Sequence, residues 1–555
     1  MGEFFIEVII PAPLEENLIY RLPEALKGVE IGCRVTVPLK KNRICIALVV
    51  KKDIEKPLGE IFIRDILNVM DEKPVICRQQ LFFWEWIASY YLCTLGELFH
   101  TLFPKGIFLE KKSKKLSWET VKLSGTLTVL QQEALENIRE VFTGKEVCLF
   151  QTLSFTGKKQ IYLQLIHAAL EKKQQVLILV PEPVITKPYL EEFKNAFGEY
   201  ILTFHSRNTI RHRTLVWKTL LLANGTPYIV VGTKAALFLP FEHLGLIIIE
   251  NEHDQRYKQH EPAPRYHARS AAIVLAQQHK AKVLLVSPAP SLDSYYNVLN
   301  GRYGFVTLPA REGNFCPPEF IVIDIKEERR KKKMRHSELS ALLTERIEKA
   351  RISGVDYILL KSRKEIEKIQ STDFRRVNTV GILCIDTLMQ SADFRAHENT
   401  FQVVESLIEK AFGSEQPCTV VIQSNQANHP LIEMIVRNDY PAMAKLQLYE
   451  RKIFSWPPYC RLITVVLRGR NQERLHIFAK EYANRLKSYS SVDISDPVVP
   501  IFLPYPTLFM LHIIIKVQNA EPAFPFRLFL KNTRREMLGD TKLSKGILVY
   551  HDVDL

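Results

Sequence analysis

Two short segments of this chain carry the residue types that handle phosphate and magnesium. After the apolar run 147–150 comes Thr152-Leu153-Ser154-Phe155-Thr156-Gly157-Lys158-Lys159. A phosphate-binding loop needs glycines so that backbone N–H groups can wrap the phosphates. It also needs a lysine for the outer phosphates and a hydroxyl for magnesium. Gly157 and Lys158 stand where the Gly-Lys pair belongs. Thr152 replaces the first glycine, Phe155 is bulky where the loop must be slim, and Lys159 puts a cation in place of the hydroxyl. The second segment is Leu246-Ile247-Ile248-Ile249-Glu250-Asn251-Glu252-His253-Asp254. Glu250 is long enough to reach a metal, but the amide of Asn251 cannot take a proton from water. Glu252 and His253 fit a polar cluster that ties strands together better than they fit catalysis. The expectation is a remnant of a nucleotide site at Gly157, Lys158, Glu250, Glu252 and His253, with no catalytic residue. No cofactor is expected; ATP and magnesium would be held only if the altered loop still binds them.

A second group of residues suits nucleic acid. Gly232-Thr233-Lys234 offers a hydroxyl and a cation after an apolar run. The loop 257–269 interleaves Tyr257 and Tyr266 with Lys258, Arg265, His267 and Arg269. That mixture suits base stacking and phosphate contact, and it equally suits a loop packed onto its own domain. His205, His253 and His267 lack the spacing of metal ligands, and the nine cysteines contain no C-x-x-C pair. Neither zinc nor another metal is expected.

These residues need a frame to position them. At 555 residues the chain is long enough for three to four domains. The runs at 147–150, 176–180, 228–231, 246–249 and 283–286 predict buried parallel strands with helices between them. A smaller α/β portion follows, with strands at 357–360, 380–385 and 419–423, after an exposed charged connector at 327–333. The N-terminal part is β-rich, with strands at 5–10, 34–37 and 44–50 and a helix over 79–91. The last module has strands at 462–467, 511–517 and 547–551 and a helix at 473–486. The fold class is therefore multidomain α/β. Lysine and arginine exceed the acids by 14, and the pI is about 9.2, which favours a polyanionic partner through counterion release. Scattered cysteines suit reduced thiols in the cytoplasm. No secretory signal or membrane-length apolar run is evident.

The tetrad resembles that of helicases of the second superfamily, which reads Asp-Glu-x-His or close to it. More specifically, the chain resembles the PriA replication-restart helicase family. The resemblance is carried by Gly232-Thr233-Lys234, the tetrad, Tyr257-Lys258-Gln259-His260-Glu261 and Arg265-Tyr266-His267-Ala268-Arg269. It continues in Leu179-Val180-Pro181-Glu182, His205-Ser206, 287–294, 393–402, Val421-Ile422-Gln423, Glu450-Arg451-Lys452 and Pro457-Pro458-Tyr459. Pro11-Ala12-Pro13-Leu14 and 86–92 are similar to the family's module for DNA 3′ ends.

The resemblance implies a 3′-DNA-binding-like domain at 1–108, a linker at 109–126 without the winged helix, and a degenerate RecA-like helicase lobe 1 at 127–310. A truncated RecA-like lobe 2 without the zinc module would occupy 311–437, and a C-terminal α+β domain 438–555. Where the family carries two motor arginines, this chain reads Ser406-Leu407-Ile408-Glu409-Lys410-Ala411-Phe412-Gly413. Where the 3′-end pocket holds Phe-Asp, it reads Leu18-Ile19. The implied function is a primosomal factor that binds forked or single-stranded DNA and supports helicase loading without ATP hydrolysis. Replisome, primosome and single-stranded DNA-binding proteins would be its partners. An active 3′–5′ helicase and a protein scaffold without DNA affinity are the two alternatives.

Overall fold

The computed structural model describes residues 4–39, 43–55, 62–104, 126–152, 156–182, 187–223, 225–309, 318–334, 338–362, 365, 377–412, 418–500, 508–518 and 523–554. The linker at 109–126 (but for its last residue), Leu153 to Phe155, Cys316, residues 366–376 and Gly413 lie outside them.

The acidic tetrad ends the strand Leu244–Glu250, whose seven residues are all buried. This strand is the centre of a seven-stranded sheet. The order is Gly304–Leu308, Val147–Thr152, Lys282–Ser287, Leu244–Glu250, Gln175–Leu179, Ile229–Gly232 and Ile201–Phe204. Every neighbouring pair is parallel. Helices cover both faces of such a sheet, so its inner strands read as continuous apolar runs. The five expected strands are present, and two edge strands are added. Gly304–Leu308 alternates buried and exposed residues, and Ile201–Phe204 is mostly half-buried; neither carries the signature of a strand buried on both faces.

The second lobe has a four-stranded parallel sheet in the order Glu319–Asp324, Thr419–Ser424, Val377–Ile382, Asp356–Leu360. The charged run at 327–333 begins inside a helix, Ile325–Arg330, capped by the Asp324 carboxylate, so it is not simply a connector. The helix Tyr440–Ile453 buries Tyr440, Met443, Ala444 and Leu448 in this lobe's core. The last module's own sheet starts at Cys460, in the strand expected at 462–467.

Two antiparallel sheets flank the lobes. The N-terminal one runs Leu18–Leu22, Phe4–Ile9, Ile44–Ile54, Arg34–Pro38, Asn68–Val69. The C-terminal one runs Asp493–Ile494, Phe509–Gln518, Cys460–Gly469, Ile547–Val553. One apolar cluster joins them through lobe 1, from Trp84 and Ile87 on the helix Arg78–Tyr90, past Trp217 and Phe238, to Leu467 and Tyr482. The Trp217 indole N–H donates to the Val75 carbonyl at 2.9 Å, which fastens the N-terminal module to the lobe. Among the described residues, no helix is long and apolar enough to cross a membrane.

Candidate functional site

The strand Val147–Thr152 and the helix Lys158–Glu171 hold the phosphate-loop remnant between them. Gly157 has φ +75°, a conformation that favours glycine, and a Cβ there would displace the Gln131 amide, whose nitrogen lies 2.5 Å away. That amide donates to the Thr156 carbonyl at 2.8 Å, while the Gln131 side-chain oxygen completes a capping box with Thr128 at the start of the helix Val129–Gly144. The Lys158 ammonium is buried and paired with the Glu250 carboxylate. Burial pushes its pKa down, but Glu250 and Glu409 outweigh that and hold it above its ordinary value. The Tyr162 hydroxyl donates to the other Glu250 oxygen at 2.7 Å. Lys159, expected as a cation at the magnesium position, turns elsewhere: it pairs with Glu192 at 2.9 Å and lies over the Tyr189 ring.

Asn251 takes a left-handed backbone with φ +50°, a conformation asparagine tolerates better than most residues. Its side-chain oxygen is buried and finds no hydrogen-bond partner among the described residues. Glu252 is fully buried and saturated. It accepts from the Ser291 N–H at 2.6 Å, the Ser291 hydroxyl at 3.0 Å, the Ser294 hydroxyl at 2.9 Å and the Arg269 guanidinium at 2.8 Å. Such bonds to a buried charge are stabilising only when the whole set is satisfied. His253 shares a 2.7 Å hydrogen bond with the Ser287 hydroxyl, and burial pushes its imidazole toward the neutral form. Glu252 and His253 thus belong to the frame.

The opposite wall is the helix Ala396–Phe412 of the second lobe. Near its start, Glu398 accepts from the Leu292 N–H of lobe 1 at 2.8 Å and pairs with Arg451 at 2.6 Å. The Tyr440 hydroxyl donates to the Pro290 carbonyl at 2.9 Å, which adds another bond between the lobes. Three turns further on, Glu409 acts on Lys158 across the cleft. One turn before it, Glu405 is buried, and burial with the nearby Glu409 raises its carboxyl to about 8. Glu409 therefore faces the cleft from the segment aligned with the family's arginines, while Glu405 precedes that segment and accepts from the Asn438 amide at 3.5 Å. Reading the sequence missed both, although Glu405 and Glu409 sit four apart on one helical face. The side chain of Lys410 lies outside the described residues.

The nucleic-acid candidates do not form an open surface. Gly232 ends a buried strand, and a Cβ there would lie 2.6 Å from both Ala236 and the Phe204 carbonyl. Thr233 is buried, and Lys234 donates to the Arg256 and Lys258 carbonyls at 3.2 and 3.1 Å. The Tyr257 hydroxyl donates to the Leu179 and Glu250 carbonyls at 3.0 and 2.6 Å. Lys258 is buried against the C-terminal strand, pairing with Asp552 at 2.7 Å and donating to the Val553 carbonyl at 2.6 Å. Arg265 lies 3.7 Å over the Tyr550 ring. Tyr266 packs edge-on against Phe238 and Tyr91, and Arg269 is committed to Glu252 and Asp293. The loop is a clamp between lobe 1 and the C-terminal sheet. Beside it opens a cavity of about 350 Å³ lined by Glu182, Thr233, Lys234, Arg256 and His260.

At the N-terminal module, Ile19 lines a larger cavity of about 580 Å³ between the first sheet and the C-terminal helix. Glu15 and Glu16 close its rim onto Lys531 and Arg535 at 3.4 and 2.8 Å.

A phosphate-loop remnant and an acidic strand end in one parallel lobe, faced by a second parallel lobe, define a protein of the helicase class with added modules. Residues 7–104 match the family described as the PriA 3′DNA-binding domain (3′BD), and residues 125–291 match the family described as type III restriction enzyme, res subunit. The chain is similar to the PriA family. Three curated relatives, each named Replication restart protein PriA, illustrate the spread. That of Bacillus subtilis is 27% identical over 66% of this chain and 59% of its own length. That of Treponema pallidum is 23% identical over 99% of both. That of Haemophilus influenzae is 26% identical over 82% of this chain and 86% of its own.

Proposed function

We propose that this chain is a replication-restart factor that grips forked or single-stranded DNA and supports helicase loading through protein partners, without turning over ATP. The observation that carries this reading is the acidic wall facing Lys158. A triphosphate bound at Lys158 would bring its outer charge toward Glu409, where a working motor places cations to stabilise the transferring phosphoryl group. Lys158 and Glu250 would pair in any empty cleft of this build, so that pair decides nothing. Asn251 does: an amide leaves the attacking water without a base. Changes of this kind each cost on the order of 10³-fold in rate, and here they fall on both walls of one cleft. The residues present do not fit magnesium-ATP as a reacting pair.

DNA binding rests on other features: the match of residues 7–104 to a 3′-DNA-binding domain and a net charge of +14. Neither depends on the cleft. The test is anisotropy of a fluorescent forked oligonucleotide across a salt series, run beside strand displacement with magnesium-ATP. Binding that weakens linearly on a log–log salt plot, with the fork left intact, is the expected result. Displacement of a strand overturns the inactive-motor reading, and no binding at low salt overturns the DNA-binding one.

A further inference from the structure

The helix Tyr440–Ile453 buries one side in the second lobe and leaves the other bare. Its exposed positions are Pro441, Lys445, Leu446, Tyr449, Lys452 and Ile453, which recur at the spacing of a single helical face. Leu446 is 37% exposed, Tyr449 65%, Ile453 58% and the following Phe454 62%. Large apolar side chains scattered singly on a surface need no explanation, but four within three turns form a patch of the kind that marks an interaction site. Two lysines and no carboxylate share this face. Glu450, the nearest acid on the helix, is half-buried and accepts from the Gln447 amide at 2.8 Å.

Beside the end of the helix stands a second feature of the same chemistry. Phe394 and Trp456 stack with 4.9 Å between ring centres and 3° between planes. Arg395 lies 4.2 Å from the Phe394 ring centre, and the Lys516 ammonium lies 4.0 Å over Trp456. Lys516 also donates to the Phe454 carbonyl at 2.9 Å, which fixes that cation next to the exposed Phe454. Both rings of the stack are half-buried. Carboxylates also sit near: the exposed Asp393, whose oxygen accepts from the Arg395 backbone N–H, Asp493 across the strand pair from Lys516, and the Asp293 carboxyl, which burial pushes up but Arg395 holds low.

We propose that this face, from Lys445 to Phe454 with the adjoining Arg395–Phe394–Trp456–Lys516 stack, is a docking surface for single-stranded nucleic acid. Bases stack on Tyr449 and Phe454, and phosphates lie against Lys445, Lys452 and Lys516. Exposed rings set among cations are the arrangement that binds single strands without reading their sequence. The exposed positions of the helix carry two lysines and no acid, which favours a polyanion over an ordinary protein partner, whose docking faces mix both signs. The proposal rests on the DNA-binding reading above and assigns it an exposed surface other than the buried Tyr257–Arg269 clamp.

The test uses the full chain with a fluorescent oligothymidylate. Each base–aromatic stack is worth roughly 1–3 kcal/mol, so Tyr449→Ala with Phe454→Ala is expected to weaken binding by at least about tenfold. Lys445→Gln with Lys452→Gln is expected to lower the salt slope by about 1.4. All four side chains are exposed, so melting temperatures should match the parent chain. Photocrosslinking of an iodouracil-substituted oligonucleotide is expected to label the peptide that carries Tyr449 and Phe454. Parent-like affinity and salt slope in the variants, with the parent chain binding DNA, overturn this site, assign the face to a protein, and leave the DNA-binding reading standing. A parent chain that binds no oligonucleotide overturns both.

Discussion

Glu250 and Glu252 stand two residues apart at the end of one strand, both buried, and their surroundings differ in kind. Glu252 is filled by its own protein: two serine hydroxyls, a backbone N–H and a guanidinium leave it no spare capacity. Glu250 faces the cleft with one lysine and one tyrosine, and the wall across from it carries further acid. The frame side of the tetrad is complete, while on the other side Asn251 follows Glu250 and Glu409 acts on Lys158 from across the cleft. A fold can keep such a carboxylate for packing reasons alone, since removing one partner of a buried pair strands the other.

The contrast can be broken by mutation. Glu252→Ala leaves Arg269 buried and three donors unmatched, so a loss of about 3–5 kcal/mol is expected in denaturant unfolding. A loss below about 1 kcal/mol would deny Glu252 its framing role. Lys158→Met should cost less, about 2–3 kcal/mol, because Glu250 keeps the Tyr162 hydroxyl. Adding Glu250→Gln should recover most of that, a coupling that a double-mutant cycle measures directly; strict additivity would mean the pair is idle.

Acidity offers a third test. The Glu405 carboxyl is raised from the ordinary 4.5 to about 8 by burial and by Glu409. Between those values the folded chain holds a proton that the unfolded chain has released. Stability therefore falls as pH rises through this window, by up to about 1.4 kcal/mol per pH unit from this group. Glu405→Gln should flatten that part of the profile, and an unchanged slope would remove Glu405 from the account. The smallest effect belongs to Lys159, whose pair with Glu192 is about one-third exposed. Lys159→Thr should change stability by less than about 1 kcal/mol, and the restored hydroxyl should not bring ATP turnover.

Much of the frame is legible in the sequence because strands buried on both faces must be apolar throughout, as 246–249 and 283–286 are. Strands with mixed burial, such as Leu18–Leu22, Ile201–Phe204 and Gly304–Leu308, escape that rule. At the cleft, Gly157, Lys158 and Glu250 are readable from spacing, since loop and strand end are each local. Glu409 is not, because its opposition to Lys158 exists only once two lobes pack. The loop from Tyr257 to Arg269 leaves DNA contact and packing equally open in the sequence. Its composition suits DNA, but Asp552 and Tyr550 from the far end of the chain cover it, and no local pattern announces a partner so distant in sequence.

The central claim is that this cleft keeps its frame and does not hydrolyse ATP, and DNA-stimulated ATPase activity of the full chain tests it most directly. The expected rate with magnesium-ATP and saturating forked DNA is indistinguishable from that of the Lys158→Ala variant. Robust DNA-dependent turnover in the parent chain, abolished by Lys158→Ala, would contradict the account.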